Sequence, residues 1–224
     1  MSVESQIRCL NEELPSTVKL VAVSKFKSIE DISKAYNAGQ KCFGENRPQE
    51  LVAKATVLPG NIEWHFIGHL QTNKIKMLLP YVTLIHSVDS EKLLFEINKA
   101  AFSAGLSVDC LLQVHIAKEE TKQGFSLDEI TDIINRLESF KNIRIRGLMG
   151  MASFVQDSGQ VRNEFRSLFS IFEKISKFSV DSQHYKTLSY FNQLSMGMSH
   201  DYKIAIEEGA TIVRIGSLIF GART

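Results

Sequence analysis

Lys25 follows Ser24 at the end of an apolar run spanning residues 18–23. An amine at the end of a buried strand is partly desolvated, which favours its neutral, nucleophilic form and makes it a candidate for Schiff-base formation. The same position also suits a lysine that snorkels to water or pairs with a carboxylate. A second chemical region lies near the C-terminus. Leu194-Ser195-Met196-Gly197-Met198-Ser199-His200-Asp201 sets small residues and hydroxyls ahead of a helical run through Ile204, Ala205 and Ile206, and Ile215-Gly216-Ser217 joins another apolar run to a short tail. Free backbone N–H groups at helix starts bind phosphate where glycine removes the side chain. A phosphorylated ligand is the sharper reading of these serines and glycines; plain helix capping by Ser199 and Ser217 is the alternative.

A lysine facing a phosphate cup has two chemical readings. One is pyridoxal 5′-phosphate (PLP) held as an internal aldimine; the other is a phosphorylated sugar held as a Schiff base in aldol chemistry. Arg214 alternates with Ile212 and Gly216, so its guanidinium can point at the ligand ring. A permanent cation facing a pyridine nitrogen disfavours protonation there and weakens the ring as an electron sink. That suits holding the cofactor better than stabilising a carbanion.

Such residues need a scaffold that gathers strand ends. Strand-like runs are expected at residues 18–23, 41–44, 63–68, 83–86, 108–114, 143–149, within 188–196, and at 211–215. Helical patterns fall between them: from the Ser28 cap to Gly39, at 46–55, 72–79 and 90–104, from the Ser126 cap, and at 161–178. Strands alternating with helices about eight times predict an α/β fold, a single (β/α)8 barrel over residues 1–224, with an amphipathic N-terminal helix within residues 1–14. No G-x-G-x-x-G follows the first strand and no P-loop occurs, which disfavours the open doubly wound sheet.

Lys and Arg number 26 against 25 Asp and Glu, a net charge of +1, so no global field draws the chain to nucleic acid. With 44% hydrophobic and 23% charged residues and no signal or membrane segment, a cytoplasmic protein without membrane attachment is expected. Cys9, Cys42 and Cys110 are far apart and read as buried reduced thiols.

Five stretches resemble the pyridoxal-phosphate homeostasis proteins, relatives of the N-terminal barrel of alanine racemase: Ala22-Val23-Ser24-Lys25, Phe43-Gly44-Glu45-Asn46, Trp64-His65-Phe66-Ile67-Gly68-His69-Leu70-Gln71 with Lys74, Leu194 to Ser199 with Asp201, and Val213-Arg214-Ile215-Gly216-Ser217 with Phe220-Gly221. The resemblance implies a fold-type III PLP barrel in which Lys25 is the aldimine lysine, Asn46 lies beside the ring and Arg214 stands opposite the pyridine nitrogen. It assigns Ser195, Ser199, Gly216 and Ser217 to the phosphate and makes His65 and Met149 pocket neighbours. Arg47 stands where the family often has tyrosine, and Gly150-Met151 follows Met149 where many members differ; both bear on the outer rim. Such proteins bind PLP without established turnover and are thought to buffer vitamin B6 and supply PLP-dependent apoenzymes. The implied protein is a non-enzymatic monomer; a slow racemase or lyase is the alternative. Two-base racemisation needs a second base, which alanine racemase takes from a further domain, and the chain ends at Thr224 soon after the last barrel unit.

The remaining candidates carry plainer expectations. His65 and His69 are expected on one face of an extended strand with no third ligand beside them, so no metal site is expected. His86 and His115 are expected at the rim. Residues 118–122 read as a solvated loop able to act as a lid, and Phe165, Leu168, Phe169, Phe172 and Ile175 read as core.

Overall fold

Eight short apolar runs pair in chain order, each parallel to the next, and the eighth returns to the first. The computed structural model describes residues 2–117, 124–181 and 190–221. Its strands are β1 (Lys19–Val23), β2 (Cys42–Glu45), β3 (Glu63–Phe66), β4 (Leu84–Val88), β5 (Val108–Val114), β6 (Ile143–Gly150), β7 (Gln193–Met198) and β8 (Ile212–Ile215). Around them lie α1 (Val3–Glu13), α2 (Ile29–Asn37), α3 (Pro48–Ala55), α4 (Ile75–Leu78), α5 (Glu91–Ala104), α6 (Leu127–Asn135), α7 (Ser158–Asp181), α8 (Tyr202–Glu207) and α9 (Ser217–Phe220). This is the expected (β/α)8 barrel with its additional N-terminal helix.

Local chemistry sets the element boundaries. Ser28 Oγ accepts the Asp31 N–H at 3.1 Å to start α2, and Ser126 and Glu129 form a reciprocal capping box at α6. Pro48 opens α3, because its missing N–H costs nothing in a first turn. That start leaves Asn46 outside the helix, two residues later than the pattern from residue 46 implied. Gly197 sits at φ +91°, and a Cβ there would come within 2.6 Å of the Ala205 Cβ, so only glycine lets β7 run this close to α8.

Two apolar cores result. The larger one fills the shell between strands and helices. The smaller consists of Val21, Cys42, Leu84, Leu111, Met149 and Ile212, one from each of six strands, and plugs the barrel interior. Two residues further along β4 and β8, on the same face, come His86 and Arg214. Phe165, Leu168 and Ile175 are buried, and Phe169 and Phe172 pack against the core, as their spacing implied.

Several expectations need correction. The seventh strand lies at Gln193–Met198, later than the window at 188–196, because the polar stretch before it offers no apolar alternation to start a strand. Most of residues 180–190, and the proposed lid at 118–122, lie outside the described residues. The helix expected at 72–79 is a 3-10 turn (Thr72–Lys74) leading into one turn of α4. Cys9 is exposed, not buried, while Cys42 and Cys110 are buried as expected. Among the described residues, no helix is long and apolar enough to cross a membrane.

Candidate functional site

At the C-terminal ends of the strands a cavity of about 400 Å³ opens, within the usual range of small-molecule sites. Lys25 enters from the end of β1, Asn46 from β2, Ser199 from β7, and Arg214, Gly216 and Ser217 from β8 and the loop after it. Six of the nine expected site residues therefore meet around one space. Lys25 is half-buried, Ser217 is exposed and Arg214 is buried. Ser199 does not cap α8, whose N-cap is Asp201; its Oγ instead accepts the Gly216 N–H at 3.3 Å and ties the two C-terminal loops together. A Cβ on Gly216 would lie 3.2 Å from both the Cβ and the carbonyl oxygen of Val23, so glycine here lets the loop after β8 pack closely on the end of β1.

Ser195, His65 and Met149 do not line this space. They lie deeper in the barrel, each 2% exposed or less. Ser195 and His65 nevertheless connect to the cavity. Arg214 Nη1 donates to Ser195 Oγ at 2.6 Å and Nη2 donates to the Gly150 carbonyl at 3.0 Å. Ser195 Oγ lies 2.9 Å from His86 Nδ1, and His86 Nε2 lies 2.8 Å from His65 Nδ1. The guanidinium can only donate, so Ser195 Oγ accepts from Arg214, and the direction of the two ring contacts follows the histidine tautomers. Burial pushes His65 down to about 3 and holds His86 well below the ordinary histidine value, so both rings are neutral. Burial also lowers Arg214, to about 10, which leaves it a cation at neutral pH.

The other histidine expectations change. β3 ends at Phe66, so His69 leaves the strand and pairs with Asp89 at 3.2 Å near the surface, while His65 is buried. They do not share a face, because the strand is shorter than its apolar pattern. His86 is fully buried inside β4, not at the rim. A different group surrounds His65: parallel pairing sets Cys42 opposite Glu63, and the ligand atoms of Cys42, Glu63 and His65 all lie within 4.8 Å of one another. Glu63 is held there by Lys19 at 2.7 Å, and burial pushes the Cys42 thiol up, away from the thiolate a metal needs.

Sequence reasoning overlooked Glu45, Glu50 and Lys54, a cluster of charges packed beside the Lys25 turn. Their signal was present: Glu45 lies in the Phe43-Gly44-Glu45-Asn46 block, and Glu50 and Lys54 are spaced i,i+4 on α3. It also passed over Lys27, whose Nζ donates to the Phe220 carbonyl at 2.9 Å and joins the β1 loop to the last helical turn.

The family model of the alanine racemase N-terminal domain matches residues 2–224. A pyridoxal phosphate homeostasis protein from Aquifex aeolicus (strain VF5) is 42% identical over 207 residues, covering 92% of this chain and 87% of the relative. The chain belongs to the pyridoxal phosphate homeostasis protein family. A family member from Schizosaccharomyces pombe is 37% identical, with 92% of this chain and 84% of the relative covered. Among solved structures, PipY of Synechococcus elongatus PCC7942 with PLP bound has a TM-score of 0.86 at 32% identity, covering 98% of this chain and all of PipY. Alanine racemase from Streptomyces coelicolor A3(2) shares the fold at a TM-score of 0.78 and 18% identity, and this chain covers 58% of it.

Proposed function

We propose that this protein carries PLP on Lys25 and serves intracellular PLP homeostasis and cofactor supply, without turnover of its own. The observation that carries the reading is the shared cavity, which Lys25 lines together with Ser199, Gly216 and Ser217 and with Arg214 in the same wall. The residues suit the cofactor. Asn46 Oδ1 is buried without a hydrogen-bond partner at the cavity edge, a polar atom available to a ligand. When bound, PLP supplies an aldehyde carbon for an amine and a pyridine ring able to delocalise charge.

Each residue then has a defined task. Lys25 would hold the cofactor through its amine, the group able to condense with an aldehyde. The Ser217 main-chain N–H, with the hydroxyls of Ser199 and Ser217, would hold the phosphate, while the Gly216 N–H stays on Ser199 Oγ. Asn46 would lie beside the ring. Arg214 presents a cation that cannot accept a proton, so it keeps a facing pyridine nitrogen unprotonated. His65, Ser195 and Met149 support this wall from behind and do not touch the ligand.

Two measurements test the reading. Borohydride reduction of the PLP-loaded protein followed by peptide mass spectrometry is expected to place the pyridoxyl group on Lys25, and Lys25→Ala is expected to abolish the label. A label on another lysine rejects the assignment. Turnover of any member of an amino-acid panel, lost in Lys25→Ala, would replace the carrier function with a racemase or lyase. Ser217→Asp is expected to weaken PLP binding about tenfold or more through like-charge repulsion, with an unchanged melting curve.

A further inference from the structure

We propose that Glu45, Lys54 and Glu50 are positioning residues that clamp the main chain on both sides of Lys25 and so aim its amine at the aldehyde. The inference rests on the reading of Lys25 as the PLP lysine. β1 and β2 are register partners through Val23 and Gly44, and each strand ends within two residues of that pair. Glu45, fully buried at the end of β2, accepts the Ser24 hydroxyl at 2.6 Å on Oε1. Lys54, on α3 and buried, donates to that same oxygen at 2.8 Å, to the Ser24 carbonyl at 2.8 Å and to Glu50 Oε1 at 2.6 Å, which uses all three of its N–H groups. Glu50 Oε1 in turn accepts the Phe26 N–H at 2.6 Å. Ser24 is thus gripped by its hydroxyl and carbonyl, and Phe26 by its amide, with Lys25 between them.

The turn needs such a grip. Phe26 has φ +64°, the one positive value at a non-glycine residue among those described, and a bulky side chain rarely adopts it. Such a conformation persists only where its surroundings over-determine it. The cluster is also a poor choice for stability alone, since well-packed apolar residues of similar volume do as well as a buried ion group or better. Its geometry is spent on two residues, the neighbours of Lys25. The clamp lies outside the phosphate loops, so it acts on the amine and not on the anion.

That separation defines the experiment. Glu50→Gln and Lys54→Met are compared with the unmodified chain for the rate and yield of the visible absorbance that appears on adding PLP. Binding of pyridoxine 5′-phosphate, which has the phosphate but no aldehyde, is measured alongside. Condensation is expected to slow about tenfold to a hundredfold in the variants, because a misplacement of about 1 Å costs up to about 10²-fold. Affinity for pyridoxine 5′-phosphate is expected to stay within about twofold, a split that general damage to the fold would not produce. If Lys54→Met does not fold, the half-buried Glu50→Gln carries the comparison. Condensation at the unmodified rate in a folded variant overturns the clamp, as does an equal loss for both ligands. Borohydride labelling of the unmodified chain at another lysine overturns the Lys25 reading and, with it, the purpose of the clamp.

Discussion

Two buried polar networks flank the cavity, and they solve opposite problems. The Glu45–Lys54–Glu50 cluster beside Lys25 is made of full charges and grips main chain. The chain from Arg214 through Ser195 and His86 to His65 holds one cation and otherwise neutral groups, and grips a side chain. Around the amine, one ammonium is shared by two carboxylates within 3 Å, so a strained turn is tied to β2 and to α3 through groups that each have an oppositely charged partner. Around the guanidinium, the hydrogen-bonded groups are all neutral and the opposing charge is the more distant buried Asp201 carboxylate, so the cation is not neutralised by a direct ion pair and can act on a ring placed over it. Burial alone does not dictate which kind of network forms; the partner's charge does.

Breaking the charged network has the largest expected effect. Lys54→Met strands a buried carboxylate and is expected to cost about 3–5 kcal/mol in urea unfolding, the usual penalty for removing one member of a buried ion pair. A loss under about 1 kcal/mol would place the cluster with exposed pairs such as Lys19–Glu63, where little stability resides.

Acidity separates the two networks by sign. The folded-state values of His65 and His86 lie below their ordinary value of 6.5, so the unfolded chain takes up protons that the native chain refuses. Their contribution is present above about 6.5 and is lost as pH falls toward the folded value of about 3 for His65. Two such groups give a slope approaching about 2.7 kcal/mol per pH unit below 6, and His86→Gln is expected to remove about half of it. Glu45 works in the other direction. Burial raises its folded value above 4.5, so its contribution is present below that pH and is lost as pH rises through the folded value. Unfolding free energies measured from pH 4 to 8 test this, and a His86→Gln profile parallel to that of the unmodified chain would remove the histidines as its cause.

The smallest expected change sharpens the neutral network. Ser195→Ala leaves Arg214 Nη1 and His86 Nδ1 without their shared partner and is expected to cost about 1–3 kcal/mol in stability. It is also expected to shift the absorbance of bound PLP, because Arg214 loses one of its two anchors. An unshifted spectrum would mean that the Gly150 carbonyl alone orients the guanidinium.

Residue order settled a great deal. The alternation of apolar runs with capped amphipathic segments dictates a parallel barrel, since buried parallel strands and right-handed crossovers leave few other arrangements. The barrel in turn puts Lys25, Asn46, Ser199, Gly216 and Ser217 at one end, because each of them follows a strand, and Arg214 joins them from near the end of β8. What the chain alone did not reveal are the distances that depend on neighbours remote in sequence: which serine faces the cavity, where His65 and His86 meet across 21 residues, and how Lys54 reaches back 30 residues to Ser24. Strand periodicity specifies which face a side chain takes, whereas the choice of its partner across the barrel depends on strand register and helix docking, and only the folded chain supplies those.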